Sequence, residues 1–243
     1  FVLPILAFLF TMLLEDYPLH MELTLRHIRD CLNARGMLGL RNSLLLSAGT
    51  ALGGTVIAAF AAYAAARHRG SLARSVHLLS TLTLSIPGLV LGLAYVLAFK
   101  RTALYETMGI LIFSSIIHFF TTPYLMLYQT FGKLNANLEG TGRVLGVPPF
   151  RLFANVFLPQ CAETLLDMFS YFFLNAMVTI SAVSFLATAQ TRPLSMLVTQ
   201  YSDQINPEGA AVLSFFILTI NLLVRGIVFL LKRLLCTPAR AAQ

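Results

Sequence analysis

The chain has 243 residues, of which 57% are hydrophobic and 11% charged, with a formal net charge of +7 at pH 7. Soluble domains average about 45–50% apolar and about 25% charged residues, so this composition and a mean hydropathy of +0.78 exclude a water-soluble globule. The apolar residues form separate runs with the charges between them, which indicates a multi-pass membrane protein and argues against a nucleic-acid-binding one.

The apolar runs predict about six transmembrane helices. The first, over residues 1–14, is too short to cross a hydrocarbon core of about 30 Å at about 1.5 Å per residue, so we expect the chain to begin inside a truncated helix, as a fragment or as the second half of a longer polypeptide. The other runs cover residues 42–66, 76–99, 109–131, 164–187 and 210–231. Pro87-Gly88 predicts a kink inside the third run. The predicted fold class is all-α, a polytopic membrane helix bundle forming one domain over residues 1–243.

Three polar segments connect or follow these runs. Residues 15–41 carry mixed charge and a short amphipathic pattern, so we expect an extracytoplasmic segment with an interfacial helix. Residues 132–163 form the long loop, and residues 232–243 the tail. Placing this loop, the tail and the basic turn after the second run in the cytoplasm gives nine Lys and Arg inside against seven outside, as the positive-inside rule favours. Arg35 and Arg192 are then outside and Arg67 inside.

The long loop has a pattern of its own. Gly146 is placed to end a first helix in a left-handed conformation, and Pro148 or Pro149 suits the first turn of a second helix. Apolar residues surround this turn beyond the predicted spans: Val144, Leu145, Val147, Phe150 and Phe153. An exposed apolar knob flanked by Arg143 and Arg151 predicts a docking surface for another protein. The alternative is an amphipathic hairpin resting on lipid.

The same loop resembles the cytoplasmic signature of ATP-binding-cassette (ABC) importer permeases. Gly146, eleven intervening residues and Leu158-Pro159, with Val156 two positions before the leucine, reproduce the spacing of that signature. Its alanine pair is absent, and Glu139 precedes Gly146 by seven residues where the signature has six. Residues 41–46 and 85–88 are also typical of the family, and residues 171–186 resemble permeases of the 2-aminoethylphosphonate and ferric-iron group, in which two halves are often fused.

The resemblance implies a type I ABC importer permease, multi-pass in a bacterial inner membrane. The implied ATPase-coupling residues are Glu139, Arg143, Val144, Leu145, Gly146, Val147, Phe150, Arg151 and Phe153. The implied partners are a second permease half, ABC ATPase subunits and a periplasmic or extracellular solute-binding protein, with membrane lipid around the spans. The chain lacks a Gly-x-x-x-x-Gly-Lys-Ser/Thr phosphate loop, so we expect no enzyme activity and no bound cofactor, with ATP and Mg on the partner ATPase.

The expected substrate is a phosphonate such as 2-aminoethylphosphonate, with ferric iron, polyamine and thiamine as open alternatives. A substrate path is predicted from one stripe of the fifth run, within an arc of about 60° at about 100° per residue. The stripe consists of Ser170, Ser181, Ser184 and Thr188. Such hydroxyls also bond to their own backbone or to a neighbouring helix, which is the alternative.

Three other intramembrane polar residues have less specific interpretations. For His118 a structural hydrogen bond is favoured over a ligand role, Arg225 is expected to snorkel towards the inner face, and Asp167 is expected to be wetted at a span end. Cys31, Cys161 and Cys236 lack metal-ligand spacing, so no metal site is predicted. A secondary transporter or channel would need carboxylates within the spans, and a membrane-embedded enzyme would need paired acids or a nucleophile motif.

Overall fold

The computed structural model describes residues 9–16, 20–31, 34–68, 70–204 and 206–240, and most of them are helical. In chain order the helices are α1 (Arg26–Cys31), α2 (Ala34–Arg67), α3 (Ser71–Leu82), α4 (Gly88–Phe99), α5 (Met108–His118), α6 (Thr121–Lys133), α7 (Leu138–Val144), α8 (Pro149–Leu152), α9 (Leu158–Gln160), α10 (Ala162–Val178), α11 (Leu194–Asp203) and α12 (Pro207–Arg240). Residues 9–13 are also helical. A 3₁₀ turn, Thr83–Ser85, follows α3, and a π-helical turn, Phe153–Phe157, follows α8. The predicted all-α membrane bundle is confirmed.

Two helices among the described residues are long and apolar enough to cross a bilayer. One spans 33 residues within α2 and contains an 18-residue stretch with a mean hydropathy of 1.8, and the other spans 29 residues within α12 and contains such a stretch with a mean hydropathy of 2.2. Two pairs, α3 with α4 and α5 with α6, pass the same test together but are bent by 111° and 54°. Counting each bent pair as one span gives up to four spans in the described part of the chain, where the sequence predicted about six. The predicted first span lies largely outside the described residues.

Both bends follow from proline. Pro87 lies immediately before α4, and its extended backbone, with ψ of 139°, ends the path of the preceding helix. The kink predicted at Pro87-Gly88 is therefore confirmed, with a larger angle than a simple kink. In the second pair the break falls at residues 119–120, because the ring of Pro123 clashes with the carbonyl four residues earlier, that of Phe119.

The predicted fifth span, residues 164–187, is wrong in its second half. The helix α10 ends at Val178, and residues 181–186 form turns. Side chains bind the backbone carbonyls of this segment: Ser195 Oγ donates to Thr179 O at 2.7 Å, and Ser114 Oγ to Ala182 O at 3.1 Å. Ala182 is fully buried. Irregular backbone within a membrane protein is tolerated where protein groups satisfy it, so hydropathy alone could not distinguish this buried turn from a helix.

The polar segments also differ from their predicted form. Within residues 15–41, a short antiparallel hairpin pairs β1 (Leu14–Asp16) with β2 (His20–Leu23), α1 has only six residues, and α2 already begins at Ala34. The helix α12 continues to Arg240, so the predicted tail is largely helical.

The described residues divide into two compact units. Unit 1 consists of residues within 1–49, 87–115 and 173–224, and unit 2 of residues within 50–86, 116–172 and 225–243. In unit 1, Leu46, Leu111 and Val183 belong to one buried cluster, and Met177 and Leu194 belong to another. In unit 2, buried aromatic rings surround the base of the long loop.

Candidate functional site

The predicted turn in the long loop is a Schellman motif that ends α7. Gly146 has a φ of +67°, Val147 N–H donates to Gly142 O at 2.8 Å, and Gly146 N–H donates to Arg143 O at 3.1 Å. These are the two reversed hydrogen bonds by which a left-handed glycine satisfies the last carbonyls of a helix. The left-handed conformation predicted for Gly146 is confirmed.

A second helical segment begins directly after this turn. Pro148 is its N-cap and Pro149 its first residue, where the missing amide donor has no cost. The segment continues through the π-helical turn Phe153–Phe157 into α9, which contains Pro159. Because a proline ring excludes the carbonyl four residues earlier, the wider turn lets the helix continue past Pro159. The predicted helix, sharp turn and helix are confirmed.

Three apolar side chains form the exposed end of this turn. Val144 is 88% exposed, Leu145 72% and Phe150 70%. We call these three residues the tip. Arg143 and Arg151 are exposed beside it, and Val147 is half-buried. A cluster of large apolar side chains on a solvent-accessible turn has no local core to fill, so its chemistry suits burial against another protein.

Phe153, which the sequence grouped with the docking residues, lies inside the protein instead. It is 3% exposed, and its ring centroid is 4.8 Å from that of Tyr63, 5.1 Å from that of Phe60 and 6.4 Å from that of Phe131. Phe60 and Tyr63 belong to α2 and Phe131 to α6. Because Phe153 follows Phe150 by three residues, helical periodicity predicts that both lie on one face. Phe153 instead packs against rings of the protein interior, so it anchors the loop.

Arg67, the last residue of α2, uses all five of its N–H donors at the base of the loop. Its Nε and Nη2 donate to the two carboxylate oxygens of Glu139, each at 2.5 Å. Its remaining donors reach backbone carbonyls: Nη1 to Phe131 O at 3.3 Å and Leu134 O at 3.1 Å, and Nη2 to Asn135 O at 2.8 Å. We call this arrangement the Arg67 clamp. An arginine offers five donors in a fixed fork, so the clamp leaves none for another partner.

The clamp changes the interpretation of Glu139. The Arg67 and Glu139 side chains are 7% and 23% exposed. The Glu139 carboxylate therefore binds Arg67 within the chain and is not part of the exposed tip. Burial would raise the pKa of Glu139, but hydrogen bonds from Arg67 and from the Glu139 backbone, together with the Arg67 charge, lower it below its ordinary value of 4.5. The guanidinium also lies 5.1 Å from the centre of the Phe157 ring.

Sequence reasoning did not find this role for Arg67. In the sequence Arg67 is distinguished only as a cytoplasmic charge, although a basic residue at a predicted helix end is a recognised signal for binding nearby carbonyls. A second ion pair was missed in the same way: Lys232 Nζ lies 2.5 Å from Asp167 Oδ1, joining α12 to α10. The Asp167 side chain is 43% exposed, as expected for a wetted carboxylate, and it is also paired.

The predicted substrate-path stripe does not exist as one helix face. Ser170 is buried in α10, whereas Ser181 and Ser184 lie in the turns beyond its end and Thr188 follows them. Ser184 Oγ donates to Ile180 O at 2.6 Å, and the hydroxyls of Thr188 and Thr191 are 3.0 Å apart. These hydroxyls bond locally, which was the stated alternative.

The remaining intramembrane residues can also be placed. Nδ1 of His118 is buried and has no hydrogen-bond partner among the described residues, so the structural hydrogen bond favoured for this ring is not made at Nδ1. Its ring centroid lies 4.6 Å from that of Phe119. Arg225 is exposed on α12.

A family model described as "Binding-protein-dependent transport system inner membrane component" matches residues 42–235. Similar sequences include the Fe(3+)-transport system permease protein FbpB 2 of Haemophilus influenzae, 28% identical over 195 residues that cover 79% of this chain and 38% of that protein. Another is the spermidine/putrescine transport system permease protein PotC homolog of Mycoplasma genitalium, 29% identical over 124 residues, 49% of this chain and 44% of that protein. The matches therefore span less than half of the length of these relatives.

Two crystal structures of bacterial ABC transporters have the same fold. One, of an alginate transporter in complex with an alginate-bound periplasmic protein, has a TM-score of 0.78 at 12% identity and covers 97% of this chain and 89% of the matched chain. The other, of a transporter that imports alginate, has a TM-score of 0.77 at 14% identity and covers 96% and 89%. At these identities the likeness concerns the fold alone.

Proposed function

Since the chain belongs to the family of binding-protein-dependent transport system inner membrane components, and is thus a multi-pass inner-membrane permease of an ABC importer, we propose that its tip couples ATP hydrolysis to transport. The observation that carries the proposal is the exposure of Val144, Leu145 and Phe150 at the end of a turn whose base is held by the Arg67 clamp and by the buried Phe153. The tip is the part of this segment that a partner can cover.

The packing below the tip explains how it could transmit movement. The Arg67 clamp fixes the start of α7 to the end of α2, and Phe153 fixes the other arm of the turn to the rings of Phe60 and Tyr63. A turn held on both arms moves with α2 as one body, because packed interiors shift between discrete arrangements and do not deform continuously. Force applied at the tip would therefore reach a helix long enough to cross the membrane.

The proposed partners follow from this family. ABC ATPase subunits, carrying ATP and Mg, would bind the tip; a second permease half would complete the path; and a solute-binding protein would deliver the substrate. One of the alginate transporters with the same fold is in complex with a periplasmic protein, which supports the last partner by analogy. Membrane lipid would cover the exposed apolar faces of α2 and α12.

The coupling role can be tested with Phe150→Asp in the full-length transporter. A carboxylate at the tip would not pack into an apolar cleft, so we expect the purified ATPase to dissociate from the permease and uptake to fall by about tenfold or more. Gln160→Asp is the matched control, because Gln160 is exposed on the same loop and lies outside the tip. Normal ATPase association and uptake with Phe150→Asp at equal expression would refute the docking role.

For the substrate we propose ferric iron. The support is the similarity to the Fe(3+)-transport permease of Haemophilus influenzae and to a further relative. This is the ferric transport system permease protein FbpB of Actinobacillus pleuropneumoniae, 29% identical over 145 residues that cover 59% of this chain and 20% of that protein. A polyamine is the second candidate, because the Mycoplasma relative is a spermidine/putrescine permease homolog. The phosphonate expected from residues 171–186 has no support from these relatives, and thiamine has none either.

Uptake by intact source cells with and without the gene separates these substrates. Labelled ferric iron, spermidine and 2-aminoethylphosphonate would be supplied in parallel, each with and without depletion of cellular ATP. We expect the deletion to abolish ATP-dependent iron uptake and leave the other two unchanged. Loss of spermidine or phosphonate uptake alone would show that the proposed substrate is wrong, while the proposed transporter class would stand. Uptake that persists without ATP but depends on the gene would favour a secondary transporter or channel.

A further inference from the structure

Unit 1 contains a cavity of about 360 Å³ beside the first turns of α2. Its lining consists of Arg35, Gly36, Leu38, Gly39, Ala189, Arg192, Leu197, Gln200, Tyr201 and Gln204. Two of these side chains are cationic, three carry neutral hydrogen-bonding groups, and none of the described lining residues is acidic. Cavities that bind small molecules usually measure about 300–1,000 Å³, so this one has room for a small ligand with a single polar group.

The backbone that carries Arg192 is held firmly by neighbouring side chains. Asn42 Nδ2 donates to Gln190 O at 2.7 Å and to Arg192 O at 3.1 Å. Leu194 N–H donates to Ser43 Oγ at 2.7 Å, and both Asn42 and Ser43 belong to α2 and are buried. Arg192 is therefore fixed against α2 before any ligand binds, which reduces the entropy lost on binding.

The Arg192 side chain has a defined position, but one of its N–H donors has no acceptor among the described residues. Its Nη1 donates to Gln200 Oε1 at 2.7 Å, so the guanidinium has a defined orientation. Its Nε is buried and has no hydrogen-bond partner in the described part of the chain. A buried N–H of a charged group without an acceptor is costly, and an acceptor supplied by a ligand would remove that cost.

We propose that this cavity binds a phosphate-type oxyanion, either phosphate itself or the phosphate or phosphonate group of a larger molecule. A guanidinium fork matches the oxygens of such a group, and its three or four oxygens can use donors from Arg192, Gln204 and Tyr201 beside the positive charge of Arg35. The same two arginines repel ferric iron and polyamines. The site therefore goes beyond the transport function proposed above and does not depend on it.

The predicted orientation places the cavity on the extracytoplasmic side, where two sources of this chemistry exist. One is a soluble phosphate or phosphonate, and the other is the headgroup of a phospholipid. An open groove along α2, formed by Met37, Leu38, Leu40, Arg41, Leu44 and Leu45, shares Leu38 with the cavity. An acyl chain could occupy this groove while its headgroup reaches Arg192, so both sources need a test.

The first arm of the test measures binding of soluble anions to the full-length protein in detergent. Inorganic phosphate and methylphosphonate are titrated by calorimetry, with chloride as the reference anion. We expect Arg192→Gln to weaken phosphate binding about tenfold or more, since hydrogen bonds to charged groups are among the stronger ones. Gln204→Glu alters an exposed lining residue, so it should fold normally and weaken binding by repulsion. Arg101→Gln, an exposed arginine outside the cavity, should change nothing.

The second arm measures retained phospholipid by native mass spectrometry of the same variants. Lipid retained by the parent and by Arg101→Gln, but lost from Arg192→Gln and Gln204→Glu, would support the site and identify a headgroup as its ligand. Phosphate binding that is lost in the same pair would support it with a soluble ligand. The proposal is overturned if the parent binds phosphate no better than chloride and neither cavity variant changes lipid retention.

Discussion

Arg67 and Arg192 show two ways of placing a guanidinium in this protein. Arg67 donates five hydrogen bonds to a carboxylate and three carbonyls, and an aromatic ring lies beneath it. Arg192 donates to one glutamine, has a buried Nε without a partner among the described residues, and lines a cavity. A guanidinium with complete acceptors holds two segments together, whereas an incomplete one in a fixed position can bind a ligand.

Charge and residue type do not distinguish the roles of Arg67 and Arg192. Both arginines lie within two residues of a helix end or helix start, and in the sequence both are distinguished only as topological charges. The acceptors around each one decide its function. Glu139, Phe131 and Leu134 surround Arg67 because α6, α7 and the end of α2 converge there. The described surroundings of Arg192 provide Gln200 and open space.

The largest expected effect is that of Arg67→Met, and Arg192→Met is its counterpart at the second arginine. Arg67→Met leaves the half-buried Glu139 without its partner and removes the donors of three carbonyls, so we expect a loss of about 3–5 kcal/mol in the free energy of unfolding. Arg192→Met removes one hydrogen bond to a neutral amide and an uncompensated charge, so we expect a change of about 1 kcal/mol or less. Thermal unfolding of the full-length protein in detergent measures both changes.

Arg143→Met provides the control for this pair of variants, because Arg143 is exposed and belongs to the same loop as Glu139. It should unfold like the parent protein. Equal destabilisation by Arg67→Met and Arg192→Met would mean that both guanidinium groups are fully hydrogen-bonded. Arg192 would then not be available to a ligand.

A comparable effect is expected from the aromatic support of the clamp. Phe153→Ala removes a ring that packs on α2 and α6, and we expect it to destabilise the protein by about 3–5 kcal/mol. Phe150→Ala truncates an exposed ring of the tip and should change stability by about 0.5 kcal/mol or less. We expect both to reduce uptake, Phe150→Ala without any shift in the unfolding temperature. A stability loss with Phe150→Ala would mean that the tip packs within the chain.

A smaller effect is expected at Gly146. A Cβ at this position meets nothing within 4 Å, so Gly146→Val acts through its backbone alone, at a positive φ that β-branched residues avoid. We expect a cost of about 1–3 kcal/mol, confined to the loop. Membrane insertion should be preserved, while ATP hydrolysis by the partner no longer drives uptake.

Gly146→Asn separates backbone strain from other causes, since asparagine tolerates the left-handed conformation better than valine. It should retain most of the uptake that Gly146→Val loses, at equal expression. Normal uptake by Gly146→Val would show that the Schellman turn is not needed for coupling, and the role proposed for the tip would then need another support.

The parts of this fold that the sequence predicted are those that local rules determine. Gly146 at the end of α7 and Pro149 at the start of α8 act on their own backbone, so their positions were sufficient. The Arg67 clamp, the inward packing of Phe153 and the fixed position of Arg192 depend on residues far apart in the chain. A single sequence without tertiary contacts contains no signal for which carbonyls or rings will meet.

The predicted spans illustrate the same limit. Hydropathy located the apolar runs of α2 and α12, but it also extended α10 into residues 179–187, which are as apolar as a helix. Those residues form a turn because Ser195 and Ser114 satisfy its carbonyls from other segments. The proposed substrate stripe failed with that helix, since helical periodicity has no meaning beyond Val178.

The smallest expected effect is the titration of the clamp itself. The pKa of Glu139 lies below 4.5, because the hydrogen bonds and charge of Arg67 outweigh the burial that would raise it. A carboxylate with a depressed pKa contributes stability that is present above its ordinary pKa and is lost as the pH falls through the lowered value. The difference in unfolding temperature between the parent and Glu139→Gln should therefore stay constant from about pH 7 to about pH 5.5 and diminish below about pH 4.5. A difference that already diminishes between pH 7 and pH 6 would mean that burial dominates over Arg67, and that Arg67 does not bind an ionised carboxylate.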